Sequence, residues 1–229
     1  MEFDAVILAG GRSSRLGGVP KAQLAVDGAT LLELTLAAVR GARRAVVVGP
    51  QLGGLPPEVL GCREDPPFAG PAAAIAAGLS ALAGAGEQAG NSPTALTLVL
   101  ACDMPRVAAA VSTLLAAGEE GNTGVPTGGD GVMAVSSDGR TQPLVGLYRT
   151  AALQRAVDDA GRRNALEGGS VFALLASLEL RKVPVPPGST DDVDTWDDAS
   201  ALGVSDPGTG RSGTGRPNST LEANGEKPG

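Results

Sequence analysis

A glycine-rich turn with basic residues is the part of this sequence best suited to chemistry. Residues 6–24 read VILAGGRSSRLGGVPKAQL, in which a short apolar run leads directly into the turn. Neighbouring glycines let backbone N–H groups approach a bound base or phosphate closely, and basic side chains add positive charge. The spacing matches neither the Walker phosphate loop nor the dinucleotide fingerprint, so a different kind of nucleotide site is indicated. The residues concerned are Gly10, Gly11, Arg12, Arg15 and Lys21.

Two carboxylates follow later segments and are candidates for metal or ligand binding. Asp103 stands just beyond the apolar run 97–101, and an open parallel sheet binds ligands beyond the carboxyl ends of its strands. A carboxylate there can hold Mg²⁺ against phosphate oxygens, or it can cap a helix. Asp65 precedes Pro66 and Pro67, a position in which Asp is more often a turn former. From the residues alone, both roles stay open for each carboxylate.

The composition excludes several kinds of enzyme and partner. The 229 residues include no His, which removes His-based catalytic triads, zinc sites with His ligands and imidazole bases. The formal net charge of −7 disfavours nucleic acid and anionic membranes as partners. Cys62 and Cys102 lack metal-ligand spacing and are expected to be reduced, buried thiols. Glu2 and Asp4 stand where a signal peptide would carry basic residues, so we expect a cytoplasmic protein.

Short apolar runs alternate with helical patterns along the chain, which predicts an α/β fold around a parallel sheet. The predicted strands are 5–8, 45–48, 97–101, 132–135, 144–148 and 180–185, and the predicted helices are 30–39, 71–82, 151–160 and 171–178. Residues 84–93 are expected to form a flexible loop. The folded domain should span residues 1–203, and residues 204–229, rich in Gly, Ser, Thr and Pro, should form a disordered tail.

The complete pattern of the glycine-rich turn resembles the signature of the MobA-like nucleotidyltransferases. After a strand the chain reads L-A-G-G-x3-R-L-G-x3-K, with Leu16 in place of the family's usual Met. Four later segments also resemble the family's motifs: REDPPFAGP at 63–71, CDMP at 102–105, QPLVGLY at 142–148 and DVDTW at 192–196. Within the family, the chain most resembles the guanylyltransferases that act on the molybdenum cofactor.

The resemblance implies a fold, a reaction and a set of site residues. The fold is a Rossmann-like three-layer α/β sandwich with a mostly parallel central sheet, of the nucleotide-diphospho-sugar transferase type. The reaction is Mg²⁺-dependent transfer of GMP from GTP to the terminal phosphate of molybdopterin, with release of pyrophosphate. The implied catalytic residues are Arg15, Lys21 and Asp103, with Asp103 as metal ligand, and the implied nucleotide contacts are Leu8, Ala9, Gly10, Gly11, Lys21, Asp65 and Asp103. Asp192 or Asp194 could assist the metal, and Thr195 is expected to cap the last helix.

Two departures from the family's pattern keep other functions open. Gly49 stands where the family commonly has an Asn that contacts the nucleotide, and residues 167–170 replace a basic pair found in some members. One alternative is a cytidylyltransferase that uses CTP with molybdopterin or another small phosphorylated substrate. The other is a non-catalytic protein that binds a nucleotide or cofactor, although retention of Lys21 and Asp103 favours an enzyme. Expected partners are GTP, a molybdopterin-type substrate and molybdenum-insertion or molybdoenzyme-maturation proteins, without nucleic acid or membrane.

Overall fold

A seven-stranded sheet forms the centre of the protein. The structure is a computed structural model that describes residues 1–208 and 211–212, except residues 12, 51–52, 89, 91–92 and 121–128. Its strands are β1 (Asp4–Leu8), β2 (Ala25–Val26), β3 (Ala29–Thr30), β4 (Ala45–Val48), β5 (Val59–Cys62), β6 (Leu96–Ala101), β7 (Gly131–Val135), β8 (Thr141–Arg149), β9 (Leu180–Pro184), β10 (Ser205–Asp206) and β11 (Arg211–Ser212). Its helices are α1 (Leu31–Ala38), α2 (Pro71–Gln88), α3 (Val107–Glu120), α4 (Thr150–Arg162), α5 (Val171–Leu175) and α6 (Trp196–Leu202).

Strand β1 lies near the middle of the central sheet, whose strand order is β5-β4-β1-β6-β8-β7-β9. β1 pairs in parallel with β4 and β6, and β4 pairs in parallel with β5. β8 runs antiparallel to β6 and β7, and β7 and β9 are again parallel. Helices α1 and α3 cover one face of the sheet, and α2, α4 and α5 cover the other. The predicted three-layer α/β sandwich with a mostly parallel sheet is confirmed.

The two faces of β1 are both buried, as its apolar sequence predicts. Ala5 and Ile7 belong to the apolar cluster under α1 and α3, whereas Val6 and Leu8 belong to the cluster under α2. This alternation follows from the two-residue repeat of a strand. On α2, Gly78 lies so close to the sheet that a Cβ atom there would be 2.6 Å from Val6 Cγ1. Glycine at this position therefore allows the helix to pack tightly against β1.

Helix α2 is longer than the sequence pattern predicts. It continues to Gln88, so residues 84–88 of the predicted loop are helical and that part of the prediction is wrong. Glycines at 84 and 86 suggested a loop, but a helix tolerates glycine where its other residues pack well. Residues 89, 91 and 92 of the predicted loop lie outside the described residues. No helix in the described part of the chain is long and apolar enough to cross a membrane.

Helix α3 and strand β5 are additional to the predicted elements. The buried positions of α3 include Val107, Ala110, Val111 and Leu114, which is the spacing of one helical face. The sequence therefore carried a signal for α3. Strand β5 is short and only half-buried at the sheet edge, so its pattern is weak.

A small second sheet joins the beginning and the end of the folded chain. Its order is β11-β10-β2-β3, and Ser205 in β10 pairs with Ala25 in β2. Apolar side chains beside it form a separate group, the third cluster, made of Leu16, Leu24, Leu31, Val193, Ala199 and Val204. Because Val204 is only 1% exposed, the folded domain extends past residue 203, which corrects the predicted boundary. Residues 209–210 and 213–229 of the predicted tail lie outside the described residues.

We expect a chain that ends at Gly203 to melt several degrees below a chain that ends at Ser212. The shorter chain loses the side chain of Val204, and full burial of a valine stabilises a protein by about 1.5–3 kcal/mol. In a protein of this size, each kcal/mol shifts the melting temperature by about 2–4 °C. Calorimetry of the two purified chains measures the difference. Equal melting temperatures would mean that Val204 does not stabilise the third cluster.

Candidate active site

A cavity of about 240 Å³ opens at the carboxyl ends of β1 and β6. Leu8, Gly10 and Gly11 line it from the turn after β1, and Asp103 lines it from the segment after β6. Lys21 contributes from a short 3-10 turn between the glycine-rich turn and β2. The fold therefore places five of the predicted site residues around one space, because the neighbouring parallel strands β1 and β6 end at the same edge of the sheet.

Ala9 and Arg15, which also belong to the glycine-rich turn, do not line the cavity. The N–H of Ala9 donates to the carbonyl of Val48 at 2.8 Å, so this group serves the sheet and is not directed at a ligand. The Arg15 side chain is 73% exposed, and its Nη1 lies 3.8 Å from Asp194 Oδ2. Arg15 therefore stands at the rim of the site as an exposed positive charge. Arg12 lies outside the described residues.

Lys21 connects two carboxylates that are far apart in the sequence. Its Nζ donates to Asp103 Oδ2 at 3.0 Å and also to Asp194 Oδ1. Burial alone lowers the pKa of Lys21, but the charges and hydrogen bonds of Asp103 and Asp194 outweigh burial and hold the pKa above its ordinary value of 10.5. The ammonium group is therefore fully charged at neutral pH.

Asp103, Asp192 and Asp194 form the acidic cluster of the site, with one oxygen from each within 4.8 Å of the others. A hydrogen bond from the N–H of Val193 to the carbonyl of Asp103, at 3.0 Å, holds the two segments together. Burial, followed by the charges of Asp103 and Asp194, raises the pKa of Asp192 above its ordinary value of 3.8. A set of hard oxygen donors in mutual repulsion fits Mg²⁺, which would bind through these carboxylates and the phosphates of a substrate.

Thr195 and Asp103 were both possible helix caps, and the structure gives them different roles. Thr195 is the N-cap of α6, since its Oγ1 accepts from the N–H of Asp198 at 3.2 Å while the Asp198 carboxylate accepts from the N–H of Thr195. Asp103 lies four residues before Val107, where α3 begins, and its carboxylate binds Lys21. The structure thus associates Thr195 with helix capping and Asp103 with the charged site.

The structure brings Glu64 to the cavity in place of the predicted Asp65. Glu64 lines the cavity and is 7% exposed, whereas Asp65 is exposed and faces a separate cavity beside α2. Both residues lie in the loop after β5, which bends at Asp65 and directs the two carboxylates to different cavities. The nucleotide contact that the resemblance implied for Asp65 is therefore not supported by its position.

No covalent nucleophile stands out among the described residues around the cavity. Cys102 is a cavity residue, but it is buried, and burial raises the pKa of its thiol to about 12. A thiol with this pKa is protonated at neutral pH and is a poor nucleophile. Cys102 is thus the buried free thiol that the sequence predicts, and the other cysteine, Cys62, is free and partly buried. The site is suited to binding and charge stabilisation.

A larger cavity, of about 670 Å³, opens at the opposite edge of the sheet beside β6 and β7. Two of its charged residues already serve the backbone, because Arg149 donates to the carbonyl of Gly129 and Arg181 to that of Ala117. The acidic cluster and Lys21 lie at the other cavity. Because it holds these charged groups, the smaller cavity is the candidate active site.

The three-layer fold, the glycine-rich turn and the paired Lys and Asp residues define a nucleotide-binding α/β protein of the nucleotidyltransferase class. The sequence matches the MobA-like NTP transferase domain over residues 5–177, and the chain belongs to this family.

Individual relatives agree on the class and differ in substrate. The molybdenum cofactor guanylyltransferase of Shewanella sp. (strain ANA-3) is 29% identical over 154 residues, which cover 65% of this chain and 70% of that protein. The 2-C-methyl-D-erythritol 4-phosphate cytidylyltransferase of Thermus thermophilus is 51% identical over 61 residues, so the match spans only 28% of that enzyme and 27% of this chain.

Solved structures share the fold. Molybdopterin-guanine dinucleotide biosynthesis protein A of Archaeoglobus fulgidus superposes with a TM-score of 0.61 at 20% identity, covering 85% of this chain and 94% of that one. The 2-C-methyl-D-erythritol 4-phosphate cytidylyltransferase of Francisella tularensis gives a TM-score of 0.63 at 14% identity, covering 86% and 96%. Likeness at this level of identity establishes the architecture alone.

Proposed function

We propose that the protein transfers GMP from GTP to the terminal phosphate of a molybdopterin-type acceptor. A phosphate oxygen of the acceptor attacks the α-phosphorus of GTP, the bond from that phosphorus to the bridging oxygen breaks, and pyrophosphate leaves. The acceptor supplies the nucleophile, so the chain needs neither a His nor an activated Cys. We place this reaction in the cytoplasm, where molybdenum-insertion or molybdoenzyme-maturation proteins would take up the product.

The observation that carries the proposal is the position of Lys21 between Asp103 and Asp194, beside the glycine-rich turn. Transfer between two polyanions requires that they be held together and that the charge developing on the leaving pyrophosphate be neutralised. Lys21 supplies a positive charge at the cavity wall, and Arg15 supplies a second one at the rim. Bound Mg²⁺, held by Asp103 with Asp194 or Asp192, would add Lewis-acid stabilisation of the phosphate oxygens.

The choice of GTP as donor is supported by the Shewanella relative, which is similar over most of this chain and is a guanylyltransferase by name. The glycine-rich turn agrees, because Gly10 leaves the cavity wall without a Cβ atom near the expected position of the base. Cytidylyl transfer is the second candidate, favoured by the short but 51% identical match to the Thermus cytidylyltransferase.

We expect the purified full chain to release pyrophosphate when it is given GTP, Mg²⁺ and molybdopterin together, and to do so far more slowly with CTP, ATP or UTP. A coupled pyrophosphate assay measures the rate, and mass spectrometry of the pterin product identifies the transferred nucleotide. Removal of Mg²⁺ with EDTA should abolish the reaction, since Lys21 alone leaves part of the phosphate charge uncompensated.

The outcomes separate the candidate functions. A faster reaction with CTP would assign the protein to cytidylyl transfer and overturn the proposal for GTP. Binding of a nucleotide without release of pyrophosphate from any of the four nucleotides would indicate the non-catalytic alternative. Activity that survives EDTA would contradict the role given to the acidic cluster.

A further inference from the structure

The carboxylate of Glu64 is buried beside the glycine-rich turn, and among the described residues only one of its two oxygens accepts a hydrogen bond. Glu64 is 7% exposed and lines the cavity. Its Oε1 accepts from the N–H of Phe68 at 3.0 Å. Its Oε2 is buried, and within the described part of the chain no group forms a hydrogen bond with it. A buried carboxylate oxygen without a donor is costly, so the position is one that a ligand with an N–H group would stabilise.

The position of this carboxylate is fixed by its neighbours. The hydrogen bond from Phe68 orients it, and Phe68 itself has a φ of 63°, a rare conformation for a bulky residue. The Phe68 ring lies under the guanidinium group of Arg63, 5.5 Å from its central carbon. The loop after β5 is therefore held in a conformation that aims the carboxylate at the cavity.

Position 49 is a glycine, so the polar group beside the glycine-rich turn has to come from another residue. A Cβ atom at Gly49 would lie 3.0 Å from the carbonyl carbon of Ala9, closer than real Cβ atoms normally approach backbone. A side chain at position 49 would therefore require the backbone of the turn to shift by a few tenths of an ångström. Glu64 Oε1 instead comes within 4.0 Å of the place where a Cβ of Gly10 would be. In this chain the polar group next to the turn is thus supplied by Glu64.

We propose that Glu64 determines the base specificity of the nucleotide site by accepting hydrogen bonds from the edge of the base. The inference rests on the proposed function and adds the residue that selects the donor nucleotide. An ionised carboxylate only accepts hydrogen bonds. Guanine offers two adjacent donors, its N1–H and its 2-amino group, whereas cytosine and adenine present an amino group next to a ring nitrogen that is an acceptor. Uracil presents one N–H between two carbonyl oxygens, so guanine is the base that matches the Glu64 carboxylate best.

The test is the binding of nucleotide analogues to the wild-type chain and to Glu64→Gln. The amide oxygen of Gln can still accept from Phe68, so its NH₂ group takes the place of Oε2 and meets the guanine amino group donor to donor. We expect the affinity for GTP to fall by about ten- to a hundredfold. Inosine triphosphate lacks the 2-amino group, so its affinity should fall less than that of GTP when Glu64 is replaced by Gln. Xanthosine triphosphate carries a carbonyl oxygen there and should bind Glu64→Gln more tightly than it binds the wild type.

Isothermal titration calorimetry with Mg²⁺ present and no acceptor gives all the dissociation constants, and Glu58→Gln is the matched control. Glu58 is exposed near the other end of β5, so this variant undergoes the same charge change away from the cavity and should bind GTP like the wild type. If the wild type favours GTP and a folded Glu64→Gln binds GTP within twofold of it, the inference about Glu64 is wrong and the proposed function stands. If the wild type favours CTP, the proposed function fails, and the guanine assignment of Glu64 fails with it.

Discussion

Asp103→Asn is expected to lower the rate of nucleotidyl transfer by a factor of about 10² or more while the protein keeps its fold. The amide preserves the size of the side chain and one oxygen for Lys21. It removes the negative charge that would hold Mg²⁺ on the phosphates. The loss should therefore appear in turnover, because charge neutralisation matters most when charge develops on the leaving pyrophosphate.

Steady-state pyrophosphate release and thermal melting of the same preparations test this expectation. Asp197→Asn is the matched control, since Asp197 is an exposed carboxylate in the first turn of α6 and lies outside the acidic cluster. The control should keep the wild-type rate. An Asp103→Asn protein with nearly wild-type turnover, and a stability lower by about 1 kcal/mol, would identify Asp103 as a structural partner of Lys21 instead of a metal ligand.

Lys21→Met is expected to reduce turnover by a similar factor, about 10², for a different reason. Met keeps the length and the apolar stem of the side chain but removes the ammonium group that pairs with Asp103 and Asp194. The acidic cluster stays intact, so binding of Mn²⁺ as a spectroscopic substitute for Mg²⁺ should persist or strengthen. Asp103→Asn should weaken Mn²⁺ binding, and this contrast separates the two roles.

Electron paramagnetic resonance measures free Mn²⁺ in titrations of both variants. Lys182→Met is the control for Lys21→Met, because Lys182 is exposed on β9, away from the cavity. Its turnover and Mn²⁺ binding should equal those of the wild type. Loss of Mn²⁺ binding in Lys21→Met would show that Lys21 organises the carboxylates and does not act on the phosphates.

The sequence predicted the framework of the fold well because the strands that carry the site are buried on both faces. Their continuous apolar runs, such as 97–101, differ plainly from the patterns of helices. The α2 helix was underestimated, because Gly84 and Gly86 read locally as breakers while packing against the sheet decides the outcome. The antiparallel β8 in the middle of the sheet depends on long-range pairing, which no local pattern encodes.

The sequence indicated which residues could form the site, but it did not indicate how they are arranged. Lys21 and Asp103 were both indicated, but their contact joins residues 82 positions apart in the sequence. Whether Glu64 or Asp65 lines the cavity depends on the conformation of the loop after β5, which the local sequence does not predict. Asp192 and Asp194 were the two candidates for assisting the metal, and the structure places both in the acidic cluster, with Asp194 also paired with Lys21.

The third cluster gives the charged site a stability of its own. The segments that carry Lys21 and Asp194 rest on this small group of apolar side chains, separate from the two clusters that hold the central sheet. Cooperative units of a protein can open locally at a lower free energy than the whole molecule. Opening of the third cluster would part the ammonium group from Asp194 while β1 and β6 stay paired. We therefore expect the separation of Lys21 from Asp194 and the unfolding of the whole protein to be two distinct equilibria, with the separation occurring at the lower free energy.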